Sequence, residues 1–281
     1  MRTLIFGSNG QLGRDLTLIF KEQGETLGYD LPEVDITDEV ALHSHITEFA
    51  PNVVINAAAY TNVDQAEDDL ENAFRVNEIG ARNLAEIAAA RKIPVVFYST
   101  DYVFNGSSKR PYTPEDTPEP LGVYGKSKYA GEVATQFNNP FHFILRTAWL
   151  YGPGGNNFVE KIIRAAESRP TLRVVDDEIG SPTHTFDLAQ ATLDFVRTKA
   201  YGTYHVVNSG QCSRYEFAKA ILSEAGISTP IEPCKATEFP TIAPRPVFSV
   251  LDNSTTNMVI QKPMQSWQQA LHHYMQRRNN N

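Results

Sequence analysis

Tyr124 and Lys128, four residues apart in the run YGKSK, suit acid–base chemistry if they share one face of a helix. A free phenol titrates near 10, too high for efficient proton transfer at neutral pH. An ammonium one turn away favours the phenolate and lowers that value, as does the positive ring of an oxidised nicotinamide. Upstream, Tyr98-Ser99-Thr100-Asp101-Tyr102-Val103-Phe104 supplies the Thr100 hydroxyl, which can hydrogen-bond a carbonyl oxygen that gains negative charge. Near the N-terminus, Gly7-Ser8-Asn9-Gly10-Gln11-Leu12-Gly13 follows an apolar strand and opens a helix. Glycines at 7, 10 and 13 let the backbone turn tightly and approach a pyrophosphate seated on the helix N-terminus. Asp30 lies twenty residues after Gly10, where a carboxylate can accept from ribose hydroxyls. It repels a 2′-phosphate and so leans towards NADH; Arg14 can offset that repulsion, which keeps NADPH open. Asp35 and Ile36 follow the next turn, placed to flank an adenine. Asn56-Ala57-Ala58-Ala59-Tyr60-Thr61 offers small side chains where a cofactor must pass closely.

Positioning these residues takes alternating strands and helices. Strands are expected at Thr3 to Phe6, Thr26 to Tyr29, Val53 to Ile55, Val95 to Tyr98 and Phe143 to Leu145. Helices are expected from Gln11 to Glu22, Glu39 to Phe49, across a long region from Asp64 to Arg91, and from near Tyr124. Continuous Val/Ile/Leu runs separated by helices indicate a parallel sheet covered on both faces, an α/β doubly wound architecture. After Trp149 the texture changes. YGPGGNN (151–157) is a loop, 157–168 is helical, 172–175 is a short strand, and 186–197 is an amphipathic helix suited to return to the first domain. Ser213 and Glu216 form a capping box, as do Ser266 and Gln269. Pro230 to Pro246 reads as an extended loop. The division expected is 1–150, with 186–208 returning to it, for the dinucleotide, and 151–185 with 209–281 for a smaller C-terminal substrate lobe.

The 281 residues suffice for such a domain and lobe, and 41% hydrophobic with 21% charged residues is ordinary for a globular enzyme. A net charge of −8 argues against nucleic acid as a partner. No apolar run approaches the roughly 18 residues that a membrane span needs. The first apolar stretch, Leu4 to Phe6, is a strand and not an export signal. Cys212 and Cys234 are too far apart for a CxxC pair and are expected as buried thiols, which fits a reducing cytoplasm. His43 with His45, and His272 with His273, have no converging Cys or carboxylate set, so no metal site is assigned to them. Asp176-Asp177-Glu178 reads as a solvated turn. Arg245, between two prolines, offers a planar fork for a nucleotide diphosphate.

The three patterns occur in the order and spacing of one family. The chain resembles the extended short-chain dehydrogenases/reductases, and within them the dTDP-4-dehydrorhamnose reductases. The resemblance rests on GSNGQLG (7–13), NAAAYTNVD (56–64), STDYVFNG (99–106), YGKSKYAGE (124–132), RTAWLYG (146–152), NNF (156–158) and APRPVFSVLD (243–252), nearly the whole chain. Asn105 stands where members usually carry Asp. The resemblance implies a Rossmann-type fold, with Tyr124 as proton donor, Lys128 as its electrostatic partner and Thr100 as the hydroxyl of the triad. It places Asp101 and Trp149 against the sugar. It gives cofactor contacts to Gly10, Gln11, Leu12, Asp30, Asp35, Ile36, Ala59, Tyr60, Thr61 and Tyr98. Some members hold magnesium at a dimer interface. Asp15 matches one such ligand, but Thr185-Phe186 stands where its partner acid is sought, so no ligand set is assigned and either a monomer or a homodimer is consistent.

The reaction implied is NAD(P)H-dependent reduction of the C4 ketone of a dTDP-4-dehydro-6-deoxysugar, dTDP-4-dehydro-β-L-rhamnose. Two other readings share the fold. A sugar-nucleotide epimerase keeps its NAD bound and returns the hydride. A non-catalytic regulatory subunit binds nucleotide without turnover; intact Thr100, Tyr124 and Lys128 favour catalysis over it.

Overall fold

The computed structural model describes residues 1–279. Its centre is a sheet of six parallel strands. They are β1 (Thr3–Phe6), β2 (Thr26–Tyr29), β3 (Val53–Asn56), β4 (Val95–Thr100), β5 (His142–Thr147) and β6 (Gly202–His205), in the spatial order β6-β5-β4-β3-β1-β2. β1, β3 and β4 are wholly buried, as expected for a sheet covered on both sides. β1 lies between β2 and β3, so the connections leave it on opposite sides. The crevice beyond its carboxyl end is the switch point, where such sheets bind ligands.

Helices α1 (Gln11–Lys21) and α7 (Thr185–Thr198) cover one face. Leu12, Leu16, Ile19 and Phe20 from α1 meet Leu188, Leu193 and Phe195 from α7 over Ile5, Ile55, Val96 and Leu145. Helices α2 (Glu39–Phe49) and α4 (Ala81–Ala89) cover the other, burying Leu42, Ile46, Leu84 and Ile87 against Leu4, Phe6 and Val54. Asp38 caps α2 by accepting from the amides of Val40 and Ala41.

The long helical region is interrupted. A 3₁₀ turn (Gln65–Glu67) precedes α3 (Leu70–Phe74), a π turn (Arg75–Gly80) follows, and α4 completes the run. Helix α5 (Val123–Asn138) then carries the Tyr/Lys pair.

The second core gathers Tyr151, residues of α6 (Phe158–Ser168) and α8 (Arg214–Ala225), and Trp267, Leu271 and Tyr274 of the last helix. That last helix, α10 (Trp267–Asn279), follows a short α9 (Ser254–Val259). Both capping boxes form: Ser213 with Glu216, and Ser266 with Gln269. The stretch after Pro230 is not wholly a loop. Ile231–Cys234 pairs in parallel with Leu172–Val175, and Pro233 is tolerated because this two-stranded ribbon leaves one edge without a partner. Cys212 and Cys234 are buried free thiols. No described helix is long and apolar enough to cross a membrane.

Candidate active site

The glycine run forms a tight turn between β1 and α1. Gly7 has φ +81°, and a Cβ on it would meet the Ala58 nitrogen at 2.5 Å. Only glycine lets β1 end this close to the chain leaving β3. A Cβ on Gly13 would lie 2.0 Å from the Gly7 carbonyl oxygen, so α1 is drawn under the loop. Gly10 caps α1 without a side chain. The first amides of the helix, at Gln11, Leu12 and Gly13, therefore have no acceptor of their own and suit a pyrophosphate. Asp30 is bonded to this loop: its carboxylate accepts from the amides of Asn9 (3.0 Å) and Leu31 (2.8 Å). The Arg14 Nε donates to the Asn9 carbonyl at 2.9 Å, on the same turn.

Beyond β3, Ala57 to Tyr60 are half-buried and Thr61 is exposed. The π turn sets their course. Asn77, buried within it, accepts from the Tyr60 amide (2.9 Å) and donates to the Tyr60 carbonyl (3.1 Å) and the Ser127 hydroxyl (2.9 Å). Ser127 precedes Lys128, so one amide side chain ties the putting-together of the β3 loop to α5; π turns of this kind recur at functional sites.

Thr100 ends β4. Its hydroxyl caps the following turn, accepting from the Tyr102 amide at 3.2 Å, and donates to Asp101 Oδ1 at 3.1 Å. It also faces the phenol of Tyr124, whose ring meets Tyr102 edge-on at 5.7 Å. Lys128 is 4% exposed, with Nζ 4.2 Å from the centre of the Phe97 ring. Burial pushes its pKa down to about 7, against the opposing pull of Glu132. Burial raises the Tyr124 phenol above its ordinary 10. In the protein alone burial dominates both groups, and the phenol's state is set by desolvation against the Thr100 hydroxyl and not by Lys128. The neutral phenol that results is the form that can donate a proton.

Three residues of the sequence reading have different places. Tyr98, expected to touch the cofactor, packs its side chain in the core beneath α7, with its hydroxyl 2.8 Å from Thr192. Ile36 is likewise buried, between α2 and α4; Asp35 beside it binds Thr37 and Arg75. Arg245 offers no free fork, because Asp64 already holds its Nη2 at 2.8 Å and the Tyr102 hydroxyl accepts from Nη1 at 3.2 Å. It latches the proline-rich strap beside Tyr102.

Trp149 follows β5 with φ +46°, a left-handed backbone that is costly for a bulky residue. One face of its ring is taken by Arg214, whose guanidinium lies 3.5 Å from the ring centre. Arg214 opens α8, is paired with Glu178 at 3.5 Å, and turns its charge towards Asp101 and Tyr102. Sequence reasoning missed it, having read Ser213-Arg214-Tyr215-Glu216 only as a cap. The acidic turn before it is not merely solvated: Asp176 accepts from Ser213 Oγ, Asp177 from the Ala236 amide, and Glu178 holds Arg214.

The residues present fit a dinucleotide. Besides the uncapped helix, the buried Lys128 ammonium has no hydrogen-bond acceptor among the described residues. Asn56 Oδ1 and Asp101 Oδ2, at the same sheet edge, are buried without partners. They do not fit magnesium at Asp15. That carboxylate is buried and already taken by Arg277 (2.8 Å) and the Thr185 hydroxyl (2.6 Å), and no cluster of three ligating residues occurs among those described. A cavity of about 520 Å³ between α7 and α10, lined by His184, Asp187, Lys262 and His273, lies apart from the sheet edge.

A family model described as the RmlD substrate binding domain matches residues 1–280. The spore coat polysaccharide biosynthesis protein SpsK of Bacillus subtilis is 40% identical over 99% of this chain and 98% of its own. A dTDP-4-dehydrorhamnose reductase of Aggregatibacter actinomycetemcomitans is also 40% identical, over 96% and 97%. Among solved structures, a dTDP-4-dehydrorhamnose reductase of Clostridium acetobutylicum superposes with TM-score 0.96 at 40% identity, covering 99% of this chain and 100% of that one. Its counterpart from Bacillus anthracis, in complex with NADP, superposes with TM-score 0.96 at 39% identity, covering 98% and 99%.

Proposed function

Because the chain belongs to the RmlD substrate-binding domain family, we propose that it reduces the C4 ketone of dTDP-4-dehydro-β-L-rhamnose to give dTDP-L-rhamnose. The observation that carries this reading is Thr100 facing Tyr124, with buried Lys128 one turn further along α5, on a sheet whose glycine turn suits a pyrophosphate. Gly7 to Gly13 and the start of α1 hold the dinucleotide's phosphates, Asp30 its adenosine ribose, Ala59 to Thr61 its passage across the sheet, and Lys128 the nicotinamide ribose. When bound, NADPH or NADH supplies the hydride. Thr100 and Tyr124 hold the ketone oxygen, and Tyr124 gives that oxygen its proton as a neutral phenol. Trp149 and Asp101 face the sugar, with Arg214 fixing the ring of Trp149.

In this reading residues 1–150 and 186–208 form the dinucleotide unit. α7 against α1 and β6 beside β5 support that division. Asp15 closed by Arg277 supports an enzyme that works without magnesium. The test is NADPH and NADH oxidation with the dTDP-4-keto sugar, in wild type and Tyr124→Phe. Loss of the acid should lower kcat by about 10²- to 10⁴-fold while cofactor affinity stays nearly unchanged. Near-normal turnover by a folded Tyr124→Phe protein sinks the assignment.

A further inference from the structure

Each reduction consumes one proton, and Tyr124 must be resupplied after giving up its own. Lys128 sits over Phe97 and makes no hydrogen bond to the phenol among the described contacts. The opposite side of Tyr124 is better connected. Thr100 faces the phenol and donates to Asp101 Oδ1 at 3.1 Å. Asp101 is 2% exposed, and its Oδ2 has no partner. A hydroxyl carries one proton, so Thr100 can donate to Asp101 or to Tyr124 but not to both at once. We propose that Asp101 is the proton reservoir for Tyr124, acting through the Thr100 hydroxyl. This rests on the reading of Tyr124 as donor.

The step balances without a further reactant. The Tyr124 O–H bond breaks as an O–H bond forms at the substrate's C4 oxygen. The phenolate takes the Thr100 proton, and the Thr100 oxygen takes the proton of the Asp101 carboxyl. Asp101 is left as a carboxylate and regains a proton from water after product leaves. The charged and titratable groups facing it are Arg214 at the start of α8, held by Glu178; Tyr102, held by Arg245; and Tyr124 on α5. Burial outweighs the Ser249 hydroxyl and Arg214, which both pull the other way, and pushes the Asp101 carboxyl up to about 6. Transfer from that acid to a phenolate whose own pKa is raised runs downhill.

Steady-state turnover, in which Tyr124 must be reloaded in every cycle, tests this between pH 5 and 9, in mixtures of H₂O and D₂O, with wild type and Asp101→Asn. The relay needs the protonated carboxyl. The wild-type rate should therefore fall as pH rises past about 6, with a curved proton inventory. Asp101→Asn should be roughly 10²-fold slower at pH 6, the lower end for loss of a proton-transfer group, with no such pH limb and with KM within about threefold. If Asp101 merely touches sugar, KM rises while limb and inventory persist, which overturns the proposal. A linear inventory in wild type overturns it without any variant. Failure of wild type to reduce the sugar at all refutes the proposed function, and the relay with it.

Discussion

Replacing Lys128 with methionine should make the cofactor-free protein more stable while weakening its grip on the dinucleotide. The side chain is 4% exposed, and its ammonium is answered by the face of Phe97 at 4.2 Å and the more distant charge of Glu132. A fall in pKa from 10.5 to about 7 on folding corresponds to a cost of about 5 kcal/mol at pH 6, where the lysine is charged in both states, at about 1.4 kcal/mol per pKa unit. Between 7 and 10.5 the unfolded chain holds a proton that the folded chain has released. Wild-type stability therefore rises with pH across that window, and by pH 9 the cost is down to about 2 kcal/mol. Methionine fills a similar volume and puts a thioether against the same ring. Lys128→Met should then be stabilised by several kcal/mol at pH 6 and by less than half as much at pH 9. Urea unfolding of the cofactor-free proteins at both pH values measures it. A methionine variant less stable than wild type, or a difference that does not change with pH, refutes the reasoning.

Asp30→Ala should weaken NADH more than NADPH, by about 1.5 to 3 kcal/mol for charge-assisted hydrogen bonds, because the carboxylate that serves a ribose diol also repels a 2′-phosphate; titration of both cofactors checks it. Equal losses would leave Asp30 only its bonds to Asn9 and Leu31. Trp149→Ala should raise KM for the keto sugar by roughly tenfold, within the 1 to 3 kcal/mol of a lost apolar wall at about 25 cal/mol per Å², and leave cofactor affinity nearly intact. Parallel falls in melting temperature and in both affinities would make Trp149 a packing residue.

What was legible follows the range of the interactions. β1 and α2 were read to the residue, because a buried strand and an Asp-capped helix are written in adjacent positions. The glycine turn and the Tyr124–Lys128 pair were legible for the same reason. The π turn was not: Asn77 holds Tyr60 and Ser127, whose places depend on tertiary packing. Arg214 was hidden too, since its place over Trp149 comes from two pieces of chain that meet only through the lobe. Arg245 misled because its fork looked free. Its partner Asp64 lies 181 residues earlier, inside a motif that reads as cofactor loop.

The bond between Asp15 and Arg277 joins residues 262 positions apart. On the ribosome the first helix emerges with a carboxylate that the finished fold buries, while its cation is made 262 residues later. Asp15 is buried while Arg277 is 34% exposed, so without the cation a buried carboxylate keeps only the Thr185 hydroxyl. The dinucleotide unit thus waits for the C-terminal helix before it is complete, which couples two units that would otherwise mature in sequence. A nascent chain stalled short of Arg277 carries every proposed catalytic residue and still lacks the clasp on its first helix.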